Sequence, residues 1–232
     1  ISVEEAQKKL TEFFGADRVA SVEHVGDIQT DTLPAYNFRI KFRDRPEDEF
    51  ATADITKKGG HVIWMLYNRN VDQETLDVEK AKKAGLEFLQ SRGYKNMKDT
   101  YYIKEDSTAA INYAYEQDGV VVYPDLIKVK IALDTGEVVG FESKGYIMNH
   151  TKREIPQPGI SEESARTKVL AKADINAVGM AIIPTKFGTE IFCYEIKGKL
   201  NDKDFIVYIN ALTGKEEQVL IIINTPEGIL TL

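Results

Sequence analysis

Apolar residues along this chain recur first at helical and then at strand spacing, and the succession repeats three times. At the start, Val3, Ala6, Leu10, Phe13 and Phe14 fall on one helical face. Ser2 is placed to cap that helix, and Glu5 stands three residues on, at capping-box spacing. Shifted by 75 residues, the same positions become Val78, Ala81, Gly85, Phe88 and Leu89, with Asp77 as the cap. Gly85 alone breaks the apolar stripe. A third segment begins at Ser161, offset from the first by 159, and carries Ala165 and Val169. Lys172 and Ala173 stand there in place of Phe13 and Phe14, which predicts a shorter or less well packed helix.

Each helical segment leads to strand-like runs and a glycine-bearing turn. The turns are Lys58-Gly59-Gly60-His61-Val62, Asp134-Thr135-Gly136-Glu137-Val138 and Leu212-Thr213-Gly214-Lys215. Gly60, Gly136 and Gly214 lie 76 and 78 residues apart, whereas the caps are 75 and 84 apart, so the third copy has lost residues between helix and turn. Tight hairpins need φ > 0 at a central residue, which accounts for the glycine. Strands are expected before each turn, at Phe50–Ile55, Ile127–Leu133 and Phe205–Ala211, and upstream of those at Tyr36–Phe42, Ala109–Tyr115 and Ile191–Lys199. In the second set, Ile127, Val129, Ile131 and Leu133 alternate with Lys128, Lys130 and Ala132, giving one buried and one wet face. The pattern predicts an α+β protein of three tandem units, 1–72, 73–150 and 151–232, each a helix packed on an antiparallel sheet. Linkers fall at Asn68–Glu74 and at Asn149–Pro158, which holds Pro156 and Pro158. Units of this size are marginal alone, so they are expected to pack on one another.

The capped helix with the pattern [S/D]-x-E-x-A (Ser2–Ala6, Asp77–Ala81), followed by aromatic-rich strands and a T-G turn (Asp134–Val138, Ala211–Glu216), resembles the PepSY family. Gly59-Gly60 departs from the T-G pattern, and Ser161–Ala165 keeps only the cap and the alanine. Three such units in tandem further resemble the C-terminal region of a spore germination protein. That resemblance implies a non-enzymatic protein that binds a spore cortex-lytic enzyme of the SleB type and stabilises or restrains it. It also implies an extracytoplasmic location, at the outer face of the inner spore membrane or in the cortex. A peptidase inhibitor and a cell-wall or peptidoglycan-binding module are the alternatives. Because the chain starts at Ile1 rather than Met, a longer parent protein with an N-terminal membrane anchor is expected.

Composition narrows the classes further. Of 232 residues, 43% are hydrophobic and 29% charged, with a net charge of −7, and basic residues come at most in pairs such as Lys57-Lys58. No basic face for nucleic acid is foreshadowed. A lone cysteine, Cys193, excludes an intrachain disulfide or a multi-cysteine zinc site. The longest apolar run, Val219–Ile223, is far short of a membrane span, and it is expected to pair inside the chain rather than stay a bare edge.

The chemical inventory is sparse. His24, His61 and His150 are scattered and show no metal-ligand spacing; they are expected in a strand, a hairpin and a linker. Cys193 lies in a strand without a local cation to activate it, and is expected to be inert. Glu4, Glu5, Glu162 and Glu163 suit first helical turns, and Glu47-Asp48-Glu49 a solvated loop. No catalytic, cofactor-binding or metal-ligating residue is assigned, and no cofactor is expected. Trp64, Tyr67, Tyr101, Tyr102, Tyr113, Tyr115 and Tyr123 could form a binding platform, but core or inter-unit packing is the favoured reading.

Overall fold

In the computed structural model, which describes residues 1–225 and 228–231, each expected cap is formed. Ser2 Oγ accepts from the Glu5 N–H at 3.2 Å while the Glu5 carboxylate accepts from the Ser2 N–H at 2.8 Å, starting helix α1 (Val3–Phe14). Asp77 accepts from the Lys80 N–H at 2.8 Å to start α2 (Val78–Ser91). Behind α1 run β1 (Val19–Ile28), β2 (Ala35–Phe42), β3 (Phe50–Thr56) and β4 (Val62–Tyr67) as an antiparallel meander. A second meander follows α2: β5 (Met97–Glu105), β6 (Thr108–Gln117), β7 (Val120–Ala132) and β8 (Val138–Glu142). Short helices α3 (Lys144–Asn149) and α4 (Glu162–Arg166) precede β9 (Asp174–Pro184), β10 (Glu190–Leu200), β11 (Lys203–Asn210), β12 (Glu216–Thr225) and β13 (Gly228–Thr231). The six strands expected from the sequence fall on β2, β3, β6, β7, β10 and β11.

The result is a mixed α+β fold built on one large sheet, antiparallel except at one junction. The strands do not stay in separate sheets. β4 pairs with β8 through Trp64–Glu142, Met65–Phe141 and Leu66–Gly140, joining the first two meanders edge to edge. One core then serves both: Leu10 and Phe13 of α1 and Ala81 and Leu89 of α2 are buried with Ile55, Ile111 and Phe141. Phe13 meets Phe88 and Phe141 edge-on at 5.5 and 5.4 Å. β7 pairs with β6 along one edge and is long enough to serve two further neighbours. Its Lys128–Ile131 end pairs with β8, while Val120–Val122 pairs in parallel with Met180–Ile182 of β9.

The third helix is short, as Lys172 and Ala173 foreshadow, and one further helix is unexpected. The third helix, α4, is five residues long against 12 and 14 for α1 and α2, and it buries Ala165 alone. Beyond it the chain offers Lys172 and Ala173 where α1 offers Phe13 and Phe14, so no apolar stripe rewards further helical turns. The unexpected helix, α3, ends on Asn149, the first residue of the expected linker.

The glycine that broke the helical stripe has a packing cause. A Cβ at Gly85 would collide with the hydroxyl of fully buried Tyr113, which donates to the Lys82 carbonyl at 2.8 Å. α2 thus sits close on β6 because it lacks a side chain there.

Both linkers are pinned by an arginine. Arg69, its side chain 5% exposed, donates to both carboxylate oxygens of Asp134 at 2.8 and 2.7 Å and to Thr135 at 2.8 Å, tying the first linker to the β7–β8 turn. Gly136 in that turn has φ of 79°. The Asp134 carboxyl is held down at about 2, chiefly by its hydrogen bonds from Arg69. In the second linker, Arg153 donates at 3.0 and 2.8 Å to Asp125, which is wholly buried on β7, and at 2.8 and 2.6 Å to Glu190 on β10. Gln117 brackets the Arg153 backbone, donating to its carbonyl at 2.8 Å and accepting from its N–H at 3.0 Å.

Two stability predictions follow from these contacts. Replacing Gly85 with Ala should lower unfolding free energy in urea, because overpacking of about 1–3 kcal/mol outweighs a helix-propensity gain of about 1 kcal/mol. Tyr113→Phe in that background should restore much of the loss; a Gly85→Ala protein more stable than the parent would refute the packing cause. Asp134 has a depressed folded pKa, so its stabilisation is present above pH ~4 and lost as pH falls toward ~2, amounting to about 2 kcal/mol. Asp134→Asn should destabilise at neutral pH by about that amount and flatten the acid limb between pH ~4 and ~2. An unchanged acid limb in urea titrations would contradict it.

Candidate functional site

The chemistry-bearing residues are dispersed by the fold. His24 on β1 meets Asp27 at 2.9 Å at the surface and leans on the rings of Tyr36 and Phe38. His61 follows the β3–β4 turn and is exposed. His150, expected as linker, instead caps the end of α3; it stacks on Tyr146 at 4.1 Å and joins buried Asp125 at 2.7 Å. Among the described residues, no group of three or more His, Cys, Asp or Glu is arranged to hold a metal ion. Glu5 and Glu162 are committed to helix ends, to Ser2 and to Arg166 at 2.9 Å. Glu47 pairs with Lys41 at 3.2 Å, and Glu49 accepts from the Tyr67 hydroxyl at 3.3 Å.

Cys193 is buried on β10. Burial, helped by the negative charge of Glu217, pushes its thiol up to about 12, so the nucleophilic thiolate is absent at neutral pH. Its neighbour Glu195, 6% exposed, is a buried carboxylate engaged at both oxygens. Tyr123 and Tyr208 donate to it at 2.5 and 3.0 Å, and Lys197 meets it at 2.9 Å. Burial raises both tyrosine hydroxyls well above their ordinary value. The cluster therefore satisfies itself, as a structural knot between β7, β10 and β11.

Of the aromatic set, Tyr67 and Tyr113 lie in the core, and Trp64, Tyr101, Tyr102, Tyr115 and Tyr123 are half-buried. No open aromatic platform results among the described residues.

The prominent apolar surface lies instead on the C-terminal part of the sheet. Where α1 lays Leu10, Phe13 and Phe14 on its strands, all buried, α4 has already ended. Phe205 and Val207 of β11 with Val219 and Ile221 of β12 floor a groove of about 370 Å³, walled by Val169 and Leu170. Leu170 is 68% exposed, Val219 46% and Ile221 43%. Lys168, Lys203, Asp204 and Glu216 also line it. The run Val219–Ile223 does pair inside the chain: Val219–Ile222 lie against β11, and Ile222 and Ile223 also meet β13, while one side-chain face stays open. The sequence signals for this groove were the shortened third helix and the apolar run; Leu170 carried none, because it is out of phase with Ala165 and Val169 in the third segment.

Comparison with known proteins gives a consistent lineage. A family model described as YpeB sporulation, PepSY1 and PepSY2 domains matches residues 1–156, and one described as peptidase propeptide and YPEB domain matches residues 159–219. The sporulation protein YpeB of Bacillus subtilis strain 168 is 33% identical over 223 residues, covering 94% of this chain and 48% of that protein. Sporulation protein YpeB of Halalkalibacterium halodurans is 35% identical over 166 residues, covering 72% of this chain and 37% of its own. The chain thus spans about half or less of the length of these relatives. The solved Bacillus megaterium YpeB C-terminal domain matches with a TM-score of 0.84 at 26% identity, over 97% of this chain and 99% of that one. This chain belongs to the YpeB sporulation protein family, whose PepSY domains span it from residue 1 to residue 219.

Proposed function

We propose that this chain is a non-enzymatic docking body that binds a spore cortex-lytic hydrolase of the SleB type and stabilises or restrains it. Its setting in this reading is extracytoplasmic, at the outer face of the inner spore membrane or in the cortex. It is read as three tandem PepSY-like units, 1–72, 73–150 and 151–232, of which 226, 227 and 232 lie outside the described residues. Family membership supports the germination setting. The observation that carries the binding role is the uncovered apolar groove, where a partner's apolar segment would take the place that α1 and α2 fill on their own strands. Contiguous exposed apolar surface of this kind marks interaction sites more often than chance exposure does. The self-satisfied Glu195 cluster and the unreactive Cys193 support a role without turnover.

A second reading, inhibition of a peptidase, draws on the description of the model that matches residues 159–219 as a peptidase propeptide and YPEB domain. It places an inhibited protease on the same surface.

The test is binding of purified SleB-type hydrolase by calorimetry, with Leu170→Glu and Ile221→Lys as exposed-site variants. The wild-type chain should bind, and each variant should weaken binding by about tenfold or more, that is about 1.4 kcal/mol. No association with the wild type, or variants that bind as well as it does, would defeat the proposal. Inhibition of a protease without hydrolase binding would favour the second reading.

A further inference from the structure

A second concave surface lies between the C-terminal ends of α1 and α2 and the β7–β8 turn, enclosing about 420 Å³. Its apolar wall is Phe13, Phe14, Phe88 and Met65; its polar lining is Arg18, Arg45, Arg92 and Glu137. The charges do not cancel. Arg18 pairs with Glu137, Arg45 reaches the same carboxylate at 3.6 Å, and the buried Arg69 meets it at 2.8 Å. That last contact is an ion pair without hydrogen-bond alignment, since neither Arg69 Nε nor Glu137 Oε2 has a hydrogen-bond partner. Asp134 is spent on Arg69, and of these arginines Glu49 reaches only Arg45, at 3.9 Å.

Arg92 has no carboxylate partner among the described residues. Its Nε donates to the Phe13 carbonyl at 2.6 Å and its Nη1 to Ser91 at 2.8 Å, while the guanidinium lies 4.9 Å from the Phe88 ring centre. Burial and then the charge of Arg18 lower its pKa, as expected of a cation whose field is unneutralised. In a protein of net charge −7, three guanidiniums line this cleft against a single lining carboxylate, Glu137.

We propose that this cleft binds one carboxylate presented by an apolar peptide segment, such as a glutamate side chain between aliphatic residues. Guanidinium forks match a carboxylate in plane and charge, and the phenylalanine wall takes the flanking apolar groups. A dianionic phosphate is the poorer ligand, because Glu137 lines the cleft and repels the second charge while the rings offer phosphate nothing. The proposal does not depend on the hydrolase reading, and its test uses no hydrolase.

The test follows backbone amide resonances of Thr135, Gly136, Glu137 and Val138 during titration of the intact chain. The probes are acetyl-Leu-Glu-Leu-amide, its neutral counterpart acetyl-Leu-Gln-Leu-amide, and inorganic phosphate. The acidic peptide should shift these resonances saturably, with the neutral peptide about tenfold weaker. Arg45→Gln removes an arginine that is 39% exposed and makes only long ion contacts, so the fold is retained. That change should weaken the acidic peptide by about fivefold while leaving distant resonances in place. The proposal is overturned if the two peptides bind alike, if nothing saturates by about 10 mM, if phosphate binds more tightly than the acidic peptide, or if Arg45→Gln has no effect.

Discussion

Asp125 is a fully buried carboxylate in the longest strand of the sheet, and the C-terminal third of the protein is fastened through its neutralisation. A charge in that position is tolerable only when it is paired and hydrogen-bonded on every side. Arg153 supplies the countercharge in a bidentate contact, and the same guanidinium grips Glu190 with its remaining donors. Hydrogen bonds donated to Glu190 chiefly hold Arg153 more firmly cationic. β7, the second linker and β10 thereby meet at a single side chain, alongside the Gln117 bonds to the linker and the Tyr123–Glu195 contact between the strands. The parallel β7–β9 pairing runs beside this point, over only Val120–Val122. The ion cluster adds an electrostatic tie to the small apolar cluster of Val120, Val122 and Ile182 at that junction.

The same logic, one linker earlier, fastens Arg69 to the β7–β8 turn. There the electrostatic tie is reinforced by a shared apolar core and by the β4–β8 pairing. The C-terminal strands have no comparable cover. Their own helix is one short turn, their core is small, and the groove above β11 and β12 stays open. A rigid, well-fastened body with one unfinished apolar face is suited to holding a partner. Rigid presentation of such a face reduces the ordering cost that binding would otherwise incur.

Much of this was legible in the sequence, and the remainder was hidden for identifiable reasons. Caps at Ser2, Asp77 and Ser161, the alternation in Ile127–Leu133 and the turn glycines are local signals, and local structure followed them. The shortened third helix could be foreseen from Lys172 and Ala173, and with it the groove. Register between distant strands could not be foreseen, because nothing in β4 or β8 alone says that Met65 faces Phe141. The arginine ties were hidden for a similar reason. Arg69 and Arg153 look like ordinary linker residues, and their partners Asp134 and Asp125 lie 65 and 28 residues away in the chain. Gly85 breaks a helical stripe in the sequence, and its cause, Tyr113 packed behind it, lies 28 residues away in the chain.

The claim that matters most is that Arg153 makes the C-terminal strands part of one cooperative body. Trp64, the only tryptophan, sits on β4 and reports the N-terminal sheet, whereas far-ultraviolet circular dichroism reports the whole chain. Urea unfolding of the parent protein should give coincident transitions by both probes. Arg153→Met leaves Asp125 buried without its main countercharge, a loss of about 3–5 kcal/mol, and should split the transitions so that dichroism falls before Trp64 fluorescence changes. A variant that still unfolds in one coincident transition, at a midpoint near that of the parent, would contradict the account.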